Sequence, residues 1–249
     1  MLRAYGDGTL FGEPYGDGPV RVVWLHGWGR SSRDFASSAS HLARSGVASV
    51  ALDLPGFGSS PPPTDPGGSR MYADLVAPVL AEIASDPVVL VGHSFGGRVA
   101  TVIAARHPEL VGALVLTGTP LVRRRVCVRA PWRFRLIRWL GARGLVSEER
   151  LEHARQRHGS EDYRRANGVM RDVLVASVNE GYEDELRAIT VPVTMVWGEG
   201  DADVPVEVAH HASHLVRTAC RVREVAGVGH LLPTEAPEEL AASVLEALT

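Results

Sequence analysis

The chain predicts an α/β architecture: a mostly parallel sheet covered by helices on both faces and interrupted once by a helical insertion. Three observations point to it. Short, continuously apolar, β-branched runs alternate with longer stretches of helical period through residues 20–118. The alternation stops over 121–188, where charges are frequent and no convincing strand is found, and it resumes at 191. At 249 residues, 45% hydrophobic and 22% charged, the chain can bury a sizeable core.

The elements follow in order. VRVVWL (20–25) reads as a buried strand and SSRDFASSASHLARSG as a helix stopped at Gly46. VASVALDL (47–54) is the next strand, and PGFGSSPPPTDPGG is a long, turn-rich loop. A helix over 70–84 leads to the strand VVLVGH (88–93), a helix over 95–107 and the strand ALVLTG (113–118). Beyond the insertion come VPVTMVWG (191–198), a helix near 206–216, CRVREVAG (220–227) and a last helix over 235–248. The expected division is a core of 1–120 and 189–249 with a helical cap at 121–188.

Composition narrows the function classes. The net charge of −3 gives no global field to draw in a polyanion, so nucleic acid is not expected as a partner. All 26 cationic residues are arginine, which reflects codon bias rather than function. The two cysteines, Cys127 and Cys220, form no CxxC pattern, and the first 18 residues lack the apolar run of a signal peptide. No stretch approaches the ~18–20 apolar residues that span a bilayer. The expectation is a cytoplasmic protein without stable membrane insertion.

Gly92-His93-Ser94-Phe95-Gly96 fits G-x-S-x-G and joins an apolar strand directly to a helix. That context is the one a strained nucleophile turn requires, with Ser94 projecting at the carboxyl edge of the sheet. A serine hydroxyl needs a base, and the base needs an orienting acid. His230 lies in the loop between the last strand and the last helix, and Asp201 sits at the apex of WGEGDADVP. Asp203 is the alternative acid, read as a helix cap or a solvated charge. Backbone N–H groups of Phe95 and of Trp28, in HGWG (26–29), are the expected oxyanion donors. Trp28, Phe95 and Leu231 are also the candidate substrate-binding residues. His210 and His214 have metal-like i,i+4 spacing but lack an acidic partner, so no metal is expected.

HGWG (26–29), DLPGFGSS (53–60), GHSFGG (92–97), WGEGDADVP (197–205) and GVGHLLPTEAPEEL (227–240) together resemble the α/β-hydrolase superfamily over essentially the full chain. The resemblance implies an eight-stranded-type sheet, a cap after the sixth strand and a Ser–Asp–His triad of Ser94, Asp201 and His230. Serine at position 94 departs from dehalogenases and epoxide hydrolases, which place Asp there. Glycine at 92 departs from the S-x-S-x-G of cofactor-free haloperoxidases. HGWG looks like carboxylesterases of the pimeloyl-acyl-carrier-protein methyl ester esterase type. The implied activity is ester hydrolysis through an acyl-serine, without cofactor. The alternatives are C–C bond hydrolysis of ring-cleavage products and a triad-bearing ligand receptor.

Residues 121–144 hold eight arginines and no acid. This stretch opens the expected cap, and its charge is read either as a solvated face or as recognition of an anionic substrate or an acyl carrier protein. A small-molecule ester is the expected substrate.

Overall fold

The computed structural model describes residues 1–122 and 161–249. Eight strands form one sheet: β1 (Arg3–Tyr5), β2 (Leu10–Tyr15), β3 (Val20–Leu25), β4 (Ala48–Asp53), β5 (Val88–His93), β6 (Val111–Thr117), β7 (Val193–Gly198) and β8 (Cys220–Val225). Their order is β1-β2-β4-β3-β5-β6-β7-β8. Pairing is antiparallel for β1–β2 and β2–β4 and parallel from β4 across to β8. The strand order reverses direction between β3 and β5, so their carboxyl ends flank the crevice where open α/β sheets bind ligands.

The continuous apolar runs have a direct cause. Val23 and Leu25 of β3 enter one core with Tyr72, Val76, Val99 and Ile103. Val22 and Trp24 enter the other with Phe35, Leu42, Leu240 and Val244. Every side chain of such a strand meets a helix layer, because α2 (Ser69–Ile83) and α3 (Phe95–Arg106) cover one face and α1 (Ala36–Arg44) and a C-terminal helix cover the other.

β1 and β2 were not expected from the sequence. β1 is three residues long and largely exposed, and β2, LFGEPY, holds glycine, proline and no β-branched residue. β2 owes its strand character to the ladder to β4 and β1 to its pairing with β2, which no local signal announces. The last helix is also divided, into a short turn at Leu232–Glu235 and a longer helix at Pro237–Ala247. Pro237 supplies no amide for the preceding turn, and Ala236 before it leaves the helical region at φ −138°, ψ 58°.

Between β6 and β7 the described residues hold three further helices, α4 (Glu161–Arg165), α5 (Val169–Asn179) and α6 (Glu183–Ala188), and no strand. The arginines from Arg123 to Arg143, and Cys127, lie outside the described residues. The return from α5 to α6 is fastened to α2 and α3. Arg98 donates to the Ser177 carbonyl at 2.9 Å, and Arg70 donates to Glu185 at 2.7 Å and to the Gly181 carbonyl at 2.8 Å. The buried Tyr182 hydroxyl sits 2.9 Å from Ser69 Oγ, and the Ser69 amide donates to Glu180 at 2.8 Å. Among the described residues, no helix is long and apolar enough to cross a membrane.

Candidate active site

The turn from β5 into α3 holds Ser94 at φ 49°, ψ −109°, a region that side-chain-bearing residues rarely occupy. Backbone packing explains the glycines around it. A Cβ on Gly96 would run into the carbonyls of Leu25 and His26, and one on Gly92 would meet the Gly97 Cα at 2.5 Å. The turn is held by the Ser94 amide, which donates to the Thr117 carbonyl at 2.9 Å, and by the Gly96 amide, which donates to the His26 carbonyl at 3.0 Å. Ser94 is thereby fixed against the ends of β3 and β6.

Three loops bring the sequence-predicted side chains into one row. His230, after β8, places Nε2 3.3 Å from Ser94 Oγ and Nδ1 2.8 Å from Asp201 Oδ2. Asp201, after β7, is buried, and its other oxygen accepts the amides of Asp203 at 3.0 Å and Val204 at 2.8 Å. Three donors thus meet one carboxylate, which fixes its plane. Asp203 contributes its backbone amide while its side chain stays exposed. Ligand atoms of Asp201, Asp203 and His230 also lie within 4.8 Å of one another. A cation there would have to break the Asp201–His230 bond, so the donor set suits a proton better than a metal.

Phe95 is the first residue of α3, and its amide has no acceptor within the helix. Trp28 sits in the turn closed by the Arg30 amide on the Gly27 carbonyl at 3.2 Å. The two rings pack edge-to-face at 5.3 Å, with Phe57 4.9 Å from Trp28 and Tyr72 4.9 Å from Phe95. The candidate oxyanion donors therefore stand on a shared aromatic wall. Leu231, partly buried, directly precedes the short helix at Leu232–Glu235. His210, His211 and His214 are exposed, and His210 pairs with Glu224 at 2.9 Å.

Two buried neutral histidines brace these loops. His26 accepts the Leu54 amide at Nε2 (2.9 Å) and donates from Nδ1 to the Gly27 carbonyl (2.7 Å), and burial pushes its pKa down. It ties the loop after β3 to the loop after β4. At the end of β4, Asp53 accepts the Ser32 and Ser59 amides at 2.7 and 2.8 Å, so it organises backbone. His93 lies fully buried beside Ser94, with its pKa pushed down to about 3 by burial first and by the neighbouring His230 next.

A pH effect on stability follows from His93. Its folded pKa lies below the unfolded value near 6.5, so the unfolded chain binds a proton that the native state refuses. The stabilisation is complete above pH 6.5 and is lost as pH falls from there toward 3. At pH 5 the loss from this one group should be about 2 kcal/mol. Chemical denaturation at pH 7 and pH 5 on the parent and on His93→Gln measures it; the variant should show the smaller decline.

The sequence reading assigned no role to His93, Phe57 or Tyr72. His93 could have been singled out as a titratable group inside the nucleophile motif. The two aromatics, 38 and 23 residues before Phe95, carry no local signal for their meeting.

The profile of the Alpha/beta hydrolase family matches residues 22–243. The pimeloyl-[acyl-carrier protein] methyl ester esterase of Chromobacterium violaceum is 44% identical over 111 residues, covering 45% of this chain and 41% of that protein. The 2-hydroxy-6-oxononadienedioate/2-hydroxy-6-oxononatrienedioate hydrolase of Cupriavidus pinatubonensis is 27% identical over 224 residues, 78% of this chain and 74% of that protein. The chain spans less than half the length of the first curated relatives it matches. Among solved structures, the thioesterase domain from the curacin biosynthetic pathway shares the fold at a TM-score of 0.70 and 24% identity, with 98% of each chain covered.

Proposed function

Because the chain belongs to the alpha/beta hydrolase family, we propose that it hydrolyses carboxylic esters through an acyl-serine intermediate on Ser94. The observation that supports this most is the hydrogen-bonded row Asp201–His230–Ser94, with Ser94 on a strained strand-to-helix turn. The esterase names among the relatives agree with it.

In the proposed reaction His230 Nε2 takes the Ser94 proton as Oγ bonds to the ester carbonyl carbon. The Nδ1 proton remains on the bond to Asp201, which fixes the tautomer and stabilises the imidazolium. The amides of Trp28 and Phe95 receive the negative charge that forms on the carbonyl oxygen, and the positive end of α3 adds to that field. The tetrahedral species collapses, and the departing alcohol carries the proton from His230. A water then gives its proton to His230 and attacks the acyl carbon. The second collapse frees the acid and returns the proton to Ser94. Every proton and bond closes within these groups, so no metal or organic cofactor enters the proposal. The proposed division of labour is a core of 1–120 and 189–249 that performs the chemistry, under a cap of 121–188 that selects the ester, in a cytoplasmic setting.

The esterase relative acts on a carrier-protein ester, and the cap arginines suit an anionic partner of that kind. Charge reversal at Arg124 and Arg138 should raise KM for an ester bearing a free carboxylate several-fold and leave a neutral ester unchanged. Equal effects on both esters would remove the arginines from substrate recognition. The match to the Cupriavidus hydrolase over 78% of this chain favours a second reading, C–C bond cleavage of a dienoic ring-cleavage product. One substrate panel separates the two: p-nitrophenyl esters of graded acyl length, a methyl ester on an acyl carrier protein and a dienone ring-cleavage product. Turnover of the esters alone supports the first reading, and turnover of the dienone alone supports the second.

A further inference from the structure

We propose that His93 is a positioning residue for this reaction, locking the loop that carries His230 to the turn that carries Ser94 through a hydrogen bond from its ring to the His230 carbonyl. The proposal rests on the reading of Ser94 and His230 given above and adds a residue that does not touch the substrate.

The geometry supports it from several sides. His93 Nε2 lies 2.9 Å from the His230 carbonyl oxygen, and a carbonyl can only accept, so Nε2 bears the hydrogen. In a neutral ring Nδ1 is then bare. Nδ1 is buried and has no hydrogen-bond partner among the described residues, so a second proton there would point at none of them that accepts it. The two imidazoles lie 5.0 Å apart at 50°, and the one that becomes positive during turnover is His230. A neutral His93 avoids repelling that charge. The charged groups acting on His93 are His230 and Arg30, which oppose its protonation, and Asp201, which favours it; burial outweighs all three.

The ring also occupies a slot left by two glycines. A Cβ on Gly27 would meet His93 Nδ1 at 2.8 Å, and one on Gly118 would meet His93 Nε2 at 3.3 Å and His230 at 3.0 Å. The loop after β3 and the loop after β6 therefore both close on this imidazole. Interiors packed this tightly transmit small displacements rather than absorb them. The base sits 3.3 Å from the nucleophile it must deprotonate, although the two lie 136 residues apart in sequence. A direct bond from the residue next to Ser94 to the backbone of the base shortens that mechanical path to one side chain.

The test compares His93→Leu, which removes the donor, with His93→Gln, whose terminal amide reaches a similar point and keeps it. Turnover of a p-nitrophenyl ester is measured and divided by the concentration of sites that react with a fluorophosphonate, so misfolded protein does not count. His93→Leu should lower kcat about 10–100-fold with KM within about twofold, and His93→Gln should recover most of the loss. An unchanged kcat in His93→Leu, an equal loss in both variants, or a rise confined to KM would each overturn the proposal. His230→Ala, assayed per mole of folded protein because its Ser94 lacks the base that a fluorophosphonate needs, separates this failure from failure of the parent reading. If His230→Ala still turns over, the base assignment falls; if it is inactive while His93→Leu is normal, only the positioning role falls.

Discussion

Ser94→Ala should lower kcat on a short p-nitrophenyl ester by on the order of 10⁴–10⁶ while leaving KM nearly unchanged. The alanine removes the one oxygen that bonds to the acyl carbon and keeps the rest of the pocket, so substrate binding has little reason to alter. What survives should be the rate supplied by binding and by the amides of Trp28 and Phe95, roughly 10³–10⁴ above water. The fold should persist, because the turn is held by the Ser94 amide on Thr117 and the Gly96 amide on His26, neither of which involves the hydroxyl. Alanine at φ 49° bears the same backbone strain that serine does. Stopped assays on the purified variant, with its melting temperature as control, measure the effect; parent-level turnover would exclude Ser94 as the nucleophile.

Asp201→Asn should cost about 10⁴ in kcat, the size seen when the orienting acid of a serine triad is exchanged for its amide. The local geometry determines which way the new amide points. The amides of Asp203 and Val204 both donate to Oδ1, so the asparagine carbonyl must take that side. Its NH₂ then faces His230 Nδ1 at the position now held by Oδ2. Two donors cannot share that contact, so Nδ1 loses its hydrogen and Nε2 gains one, removing the lone pair that should accept the Ser94 proton. Asp203→Asn, by contrast, should leave kcat within about threefold, because that residue contributes its backbone amide. Loss under about tenfold at Asp201, or equal losses at both positions, would move the role of orienting acid elsewhere.

Much of this site was legible in the sequence because every part of the row follows a strand. Ser94 comes directly after VVLVGH, Asp201 three residues after the strand ending at Gly198, and His230 in the loop after β8. In a parallel sheet those loops share one edge, so strand assignment alone brings residues 94, 201 and 230 together. Order along the chain then separates the acid from the base. The parts that escaped are tertiary. β2 owes its strand character to a ladder with β4 and β1 to its pairing with β2, and the aromatic wall joins Trp28, Phe57, Tyr72 and Phe95 from separate elements. His93 sits inside the most recognisable motif of the chain. Its role depends on a carbonyl 137 residues downstream, which periodicity and spacing cannot reach.

The separation of Ser94 from His230 also sets when the site can exist. β5 and α3 can set Ser94 on its turn against β3 and β6 using only the first half of the chain, but the base arrives with the loop after β8. Contacts of such long range are slow to form, and domains fold as their segments leave the ribosome, amino-terminal end first. A nascent chain therefore presents its strained serine well before it holds anything that can deprotonate it. On the proposed mechanism, hydrolysis waits for β8 to dock, because only then does His230 stand beside Ser94.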